Sequence, residues 1–134
     1  MANPLKSLFG SKPKTSVPDA SSEPDGPHPI HVSDADFDEV IMKADKLAVL
    51  DLWADWCGPC HMLAPTIEGL AVEFDGRAIV AKLDVDENPV SASRFNIMGI
   101  PTVLFIKNGK EIDRIVGVQP YTAFAMRMER YTAD

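Results

Sequence analysis

The sequence predicts an α/β fold in which a mixed central β-sheet is flanked by helices on both faces. Residues 46–54 (KLAVLDLWA) and 78–85 (AIVAKLDV) are apolar at most positions. Such continuous apolar runs are typical of parallel strands that are covered on both faces of the sheet. Segments with helical periodicity alternate with them, and the chain ends in a hairpin pattern followed by a helix. This order, β-α-β-α-β-α-β-β-α, requires parallel and antiparallel strand pairs in one sheet.

The first strand and helix are predicted close to residue 30. The segment IHV (30–32) is a short strand, and Ser33 is predicted to be a helix N-cap because Asp36 follows three positions later. The next residues carry an apolar stripe at helical spacing, formed by Phe37, Val40 and Ile41. A helix is therefore expected between the short strand and the buried strand 46–54.

A long helix is predicted after strand 46–54. Apolar residues recur there at helical spacing and extend to about Phe74, namely Leu63, Ile67, Leu70, Ala71 and Phe74. Strand 78–85 follows, and then the segment ENPVSASRF (87–95). Because Pro89 suits the first turn of a helix, we expect this segment to be a short helix.

The last third of the chain predicts a hairpin and a final helix. The segment TVLFIKNGKEIDRIVG (102–117) holds Asn108-Gly109, a pair that favours a two-residue turn between antiparallel strands. Residues 120–131 place three apolar side chains on one helical face, namely Phe124, Met128 and Tyr131. No internal repeat and no second domain are visible.

The sequence is divided into an N-terminal tail, residues 1–28, and a single domain, residues 29–134. Residues 1–29 hold six of the eleven prolines, with serines among them and too little apolar surface to offset the entropy of ordering. We therefore expect the Pro/Ser-rich tail to be flexible. It lacks the continuous apolar core of a secretory signal peptide, so the expected location is the cytoplasm.

Composition excludes several classes of protein. The net charge of −7 repels phosphate backbones, so nucleic acid is not an expected partner. No apolar run approaches the length that a bilayer requires, so no membrane partner is expected either. Two cysteines cannot form a disulfide-rich scaffold.

Both cysteines lie in the sequence WCGPC, at the predicted start of the long helix. Cys57 and Cys60 are three residues apart, so their side chains are neighbours in a first helical turn and can form a disulfide with little backbone movement. The unpaired N–H groups of that turn favour a thiolate at Cys57, which is the nucleophile in disulfide exchange. Cys60 is placed to resolve the mixed disulfide, Gly58 permits close approach of another chain, and Pro59 stiffens the turn.

Three alternatives remain for the pair: half of a zinc site, a structural staple and two inert thiols. Zinc needs two further ligands, and the three histidines form no second pair at zinc-finger spacing. A bridge across four residues closes too small a loop to constrain the unfolded chain strongly. Gly-Pro at a strand-to-helix junction is an unusual setting for inert thiols. Redox chemistry with no bound metal is favoured.

Three further residues attract attention. Asp51 interrupts a buried strand, so its pKa should be raised, and it is a candidate proton carrier for Cys60, although a strand-end carboxylate that faces solvent remains possible. Lys82 is either the partner of Asp51 or an ordinary solvent-facing lysine. Pro101 belongs at the start of a strand, because it cannot donate a ladder hydrogen bond.

These motifs together resemble the thioredoxin family. The segment WADWCGPC (53–60) matches the family's signature except at Asp55, where Glu is common. Asp51, Lys82, GIPT at 99–102 and the glycine of IVGV at 115–118 fall at the family's usual separations without a gap. The resemblance covers about residues 29–134 and implies the thioredoxin fold.

The resemblance also implies roles for individual residues. Cys57 would attack, Cys60 would resolve, and Asp51 would carry the proton under the influence of Lys82. The peptide bond before Pro101 would be cis, with backbone groups of Ile100 pairing with the substrate like an added strand. The substrate-docking surface would include Trp56, Gly58, Pro59, Gly99, Ile100, Pro101 and Gly117, and Trp53 would pack beneath the active-site loop.

The family's activity implies a general protein-disulfide reductase that maintains cell redox homeostasis. No bound cofactor is expected, since electrons would come from a thioredoxin reductase that uses NADPH, or ferredoxin in some lineages. The other expected partners are disulfide-containing client proteins, and the chain is expected to be a monomer. A disulfide oxidant or isomerase and a binding module without turnover are the alternatives. Two departures from the family pattern are His61, where Lys or Arg is usual, and Met98, where a charged or polar residue is frequent.

Overall fold

The computed structural model describes residues 26–133. Within these residues the strands are β1 Ile30–His31, β2 Leu47–Trp53, β3 Ala78–Asp84, β4 Thr102–Lys107 and β5 Lys110–Val116. The helices of the same region are α1 Asp38–Met42, which is π-helical, α2 Gly58–Glu73, α3 Pro89–Arg94 and α4 Tyr121–Thr132. The predicted order of strands and helices is confirmed. Most of the predicted tail, residues 1–25, lies outside the described residues.

The strands form one mixed sheet in the order β1-β3-β2-β4-β5. The β1–β3 and β3–β2 pairs are parallel, whereas the β2–β4 and β4–β5 pairs are antiparallel. One edge of the sheet is the two-residue strand β1. The other edge is β5, whose sequence KEIDRIV carries four charged residues among seven.

Alternation along β2 assigns its side chains to two cores. Leu47 and Val49 belong to one core with α2 and α4, whose buried residues include Leu63, Ile67, Leu70, Phe124 and Met128. Ala48, Leu50 and Leu52 belong to the other core, against Phe37 just before α1, Ile41 in α1, Ala92 in α3 and Phe95 just after α3. The sheet is thus covered by helices on both faces, as predicted.

The start of the first helix differs from the prediction. The backbone N–H of Ser33 donates to Asp36 Oδ1 at 2.8 Å, so the predicted pair forms, but it closes a turn, and α1 begins only at Asp38. The reason lies in Asp34, whose carboxylate accepts the N–H groups of Val90 and Ser91 at 3.1 and 2.8 Å. This segment is therefore held against the start of α3 instead of forming a helical turn of its own.

The hairpin between β4 and β5 forms as the sequence predicts. Asn108 and Gly109 both have positive φ, 53° and 75°. This combination is the one that a type I′ turn requires. No helix within residues 26–133 has both the length and the apolar character needed to cross a bilayer.

Candidate redox site

Cys57 and Cys60 form a disulfide at the N-terminus of α2, with their Cα atoms 5.3 Å apart. Cys57 is the N-cap residue, with an extended backbone, and its Sγ accepts a hydrogen bond from the Cys60 N–H at 3.2 Å. The following Gly58 and Pro59 are exposed and begin the helix. Pro59 fits there because an N–H at this position would lack a partner within the helix.

The position of Cys57 favours negative charge on its sulfur. The N-terminal end of a helix carries unpaired N–H groups and the positive end of the helix dipole. The Cys60 N–H is directed at Cys57 Sγ, so it stabilises a thiolate formed when the disulfide opens. The Cys57 and Cys60 side chains are only 4% and 3% exposed, which limits attack to a partner that approaches the rim of the site.

The loop before β4 lies against the disulfide. The carbonyl oxygen of Ile100 is 3.8 Å from Cys57 Sγ, and the Ile100–Pro101 peptide bond is cis. Gly117 donates its N–H to the Pro101 carbonyl at 2.8 Å, and the Thr102 hydroxyl donates to Gly99 O at 2.6 Å. These bonds anchor both sides of the loop, while the Ile100 N–H has no backbone partner among the described residues. The Ile100 N–H is therefore not committed to a backbone hydrogen bond within this part of the chain.

Asp51 is a buried carboxylic acid in the middle of the sheet. It is 1% exposed, and no described residue donates a hydrogen bond to either of its carboxyl oxygens. Burial raises the pKa of Asp51 from 3.8 to about 7, an effect that the positive charge of Lys82 partly opposes. Asp51 continues the every-second-residue series of Leu47 and Val49, which belong to the core with α2, so its side chain faces the side of the sheet that carries α2. The expectation of a solvent-facing Asp51 is thereby excluded.

Lys82 lies opposite Asp51 in the register of β2 and β3. Its side chain is half-buried, and Nζ is 4.8 Å from the centroid of the Trp53 ring. No ion pair within 4.0 Å joins Lys82 to a carboxylate of residues 26–133. Lys82 therefore acts on Asp51 through its field and not through a direct contact.

His61 contacts the turn that precedes the cysteines. Its Nε2 is 2.7 Å from the carbonyl oxygen of Asp55, and its ring lies edge-on to Trp53 at 6.1 Å between centroids. Trp53 also packs against Cys57 and Cys60 with Ala54. The resemblance implied that Trp53 supports the active-site loop, and these contacts agree with that placement.

An apolar groove of about 340 Å³ lies beside the disulfide. It is lined by Trp56, Val85, Ala92, Ile97, Met98, Gly99 and Ile100. The Trp56 side chain is 69% exposed, and its indole N–H donates to Asp86 Oδ2 at 2.8 Å. Three of the predicted docking residues, Trp56, Gly99 and Ile100, thus meet in one groove. Gly58, Pro59, Pro101 and Gly117 do not line it.

The sequence reasoning missed Val85, Asp86, Ala92 and Ile97. A signal for the first two was present, since parallel strands end at the same edge of a sheet and ligands bind outside their carboxyl ends. Strands β2 and β3 are parallel and run in register, so the residues after β3 lie near those after β2. Ala92 and Ile97 carry no comparable signal in the sequence.

Metal ligation finds no support among residues 26–133. No group of three or more histidine, cysteine, aspartate or glutamate side chains in this part of the chain is arranged to hold a metal ion. The sulfur atoms of Cys57 and Cys60 are bonded to each other. The arrangement supports reversible disulfide chemistry.

Comparisons with known proteins show the family of the chain. The family model "Thioredoxin" matches residues 28–130. The chain belongs to the thioredoxin family. Over 99 residues it is 48% identical to thioredoxin 2 of Chlorobaculum tepidum, an alignment that covers 74% of this chain and 91% of that one. Over 102 residues it is 46% identical to the thioredoxin of Staphylococcus haemolyticus, covering 76% and 96%.

A solved structure supports the same thioredoxin fold. It is that of a point mutant of thioredoxin from Halobacterium salinarum, which superposes with a TM-score of 0.73 at 38% identity. The match covers 84% of this chain and 98% of the other. The chain is therefore a thioredoxin-type protein-disulfide oxidoreductase, with Cys57 and Cys60 as its redox-active pair.

Proposed function

We propose that the chain is an electron carrier that transfers electrons outward, from a thioredoxin reductase to disulfide-containing client proteins. The observation that carries this proposal is the placement of Cys57: its sulfur caps α2 and lies 3.8 Å from the Ile100 carbonyl at the end of an open apolar groove. A reduced Cys57 there is a stabilised thiolate next to a surface that another chain can reach.

The first step is attack of the Cys57 thiolate on one sulfur of the client disulfide. A mixed disulfide forms, and the other client sulfur leaves and takes up a proton. The free backbone N–H of Ile100 would hold the client chain in an extended conformation, like an added strand. Trp56 and Gly99 would contact the client side chains beside the reacting cysteine.

The second step is resolution by Cys60. Its thiol loses a proton, attacks Cys57 Sγ and releases the second client thiolate, which is protonated in turn. The client gains two electrons and two protons, and the Cys57–Cys60 disulfide forms. Asp51, with a pKa raised to about 7, would accept the Cys60 proton, and Lys82 would keep that pKa from rising further.

A separate protein would supply the electrons, and the cycle would take place in the cytoplasm. A reductase that draws on NADPH, or on ferredoxin, would return the oxidised pair to the dithiol, so the chain itself would need no bound cofactor. The cytoplasm is the compartment in which such a reductant would maintain cell redox homeostasis. The close similarity to bacterial thioredoxins supports these roles.

A redox titration tests the direction of transfer. The protein is equilibrated with graded dithiothreitol or glutathione buffers. Its redox state is followed by the fluorescence of Trp53, which packs against the pair, and of Trp56, which directly precedes Cys57. A potential well below the glutathione couple supports an outward reductant. A potential near or above that couple contradicts the proposal and favours a disulfide oxidant or isomerase.

A further inference from the structure

The apolar groove beside the disulfide indicates which clients the chain prefers, provided that the chain reduces clients as proposed above. Its lining holds seven residues, and none of them is charged. Ile100 joins the groove to the redox pair, since its carbonyl oxygen is 3.8 Å from Cys57 Sγ. A client whose cysteine reaches Cys57 therefore lays the residues next to that cysteine over the groove.

Two large apolar side chains stand uncovered at this groove. Trp56 is 69% exposed and Met98 is 92% exposed. Met98 is unbranched and polarisable, so it adapts to apolar partners of different shape. Together with Ile97 and Ile100, these residues provide a binding site for an apolar client side chain.

The border of the groove is acidic. Asp55 directly precedes Trp56, Asp86 accepts the hydrogen bond of the Trp56 indole, and Glu87 follows Asp86. All three carboxylates are exposed, and none forms an ion pair within 4.0 Å with a basic side chain of residues 26–133. The net charge of −7 for the whole chain strengthens the same field. Positive charge on a partner is therefore favoured here.

We propose that the groove selects clients in which the segment beside the reacting cysteine combines an apolar side chain with lysine or arginine. The apolar side chain would occupy the space between Trp56 and Met98. The cationic side chains would lie toward Asp55, Asp86 and Glu87. Complementary charge at the rim of an interface acts mainly on the association rate and is weakened by salt.

Three peptide–glutathione mixed disulfides test this selection. Each peptide has one cysteine with leucine beside it, flanked by two lysines, two serines or two glutamates. The reduced protein opens each mixed disulfide, and the products are the oxidised protein, the free peptide thiol and glutathione. At low salt we expect the lysine peptide to react about fivefold faster than the glutamate peptide, with the difference fading at high salt.

Variants of residues at the groove and its acidic border test which side chains cause the difference in rate between the peptides. The double variant Asp55→Asn, Glu87→Gln should lower the lysine-to-glutamate rate ratio, because only Asp86 and the net charge of the chain then favour the lysine peptide. Met98→Arg should lower the ratio as well, because it places a positive charge at the groove. Met98→Leu should keep the ratio, because leucine preserves an apolar side chain. The matched control is Asp75→Asn, an exposed carboxylate two residues beyond the C-terminal end of α2, which should leave the ratio unchanged.

The possible results distinguish a wrong client selection from a wrong proposed function. Equal rates for the three peptides at low salt, or a ratio that the double variant does not change, would overturn the selection and leave the proposed function standing. No reaction with the serine peptide would overturn the proposed function itself. Self-association that Met98→Arg abolishes would assign the groove to a second copy of the chain and overturn the selection.

Discussion

Asp51 and Lys82 lie directly opposite each other on the parallel strands β2 and β3, yet no hydrogen bond joins them. The carboxyl group is buried and has no donor among the described residues, so its charged form is costly. Lys82 lowers that cost without removing it, and the pKa of Asp51 stays at about 7. A group with this pKa changes its charge close to neutral pH.

The raised pKa of Asp51 predicts a stability that falls as pH rises. In the unfolded chain this carboxyl ionises near 3.8, and in the folded chain near 7. Between these values the folded state binds more protons, so the free energy of unfolding decreases with pH by up to about 4 kcal/mol in total. Asp51→Asn should lose most of this dependence and be the more stable protein at pH 8. Urea unfolding at pH 5 and pH 8 measures both, and identical pH profiles for the two proteins would contradict the assignment.

Replacing Lys82 by Gln should raise the pKa of Asp51 further. The positive charge of Lys82 is the effect that opposes burial, and the substitution removes it. The pH midpoint for client reduction should therefore shift upward relative to the wild type, if Asp51 accepts the Cys60 proton. The double variant Lys82→Gln, Asp51→Asn serves as the control. It should show no further shift relative to Asp51→Asn alone.

Replacing each cysteine by serine should impair client reduction at a different step. Cys57→Ser should abolish reduction of a protein disulfide such as insulin, because the attacking sulfur is missing. Cys60→Ser should still attack but should trap the client as a stable mixed disulfide, which non-reducing electrophoresis and mass spectrometry detect. Turnover by Cys57→Ser would exclude Cys57 as the nucleophile.

Gly117 should tolerate a side chain less well than Gly99. Gly117 has a φ of 91°, which only glycine adopts readily, whereas added Cβ atoms at both positions meet no atom within 4 Å. Gly117→Ala should therefore lower the free energy of unfolding by roughly 1–2 kcal/mol through the backbone alone. Gly99→Ala should change it by less than about 0.5 kcal/mol. Equal losses measured by urea unfolding would mean that backbone strain at Gly117 is not the cause.

Local patterns in the sequence were sufficient for the order of elements and for the redox pair. Asn108-Gly109 predicts the hairpin because both residues accept positive φ, and the structure places them there. The Cys57–Cys60 spacing predicts a disulfide in a first helical turn for a similarly local reason. In each case the deciding residues are fewer than five positions apart.

Contacts between distant segments could not be predicted in this way. The carboxylate of Asp34 holds the N-terminus of α3 through Val90 and Ser91, more than fifty positions away, and this contact delays the start of α1. The Trp56–Asp86 bond joins positions thirty apart, and the parallel strands β2 and β3 indicate only that the two segments are close, not that these two side chains pair. Such pairings depend on strand register and on how loops fold over the sheet edge, which leave no periodic trace in the sequence.

The two edges of the sheet have a consequence for behaviour at high concentration. A long, flat, apolar outer strand would invite a neighbour to extend the sheet and start a fibril, but β1 has only two residues and β5 carries Lys110, Glu111, Asp113 and Arg114. The apolar groove can therefore remain exposed to clients, while the two edge strands disfavour association of one sheet with another. At high protein concentration we therefore expect no fibril formation through β1 or β5.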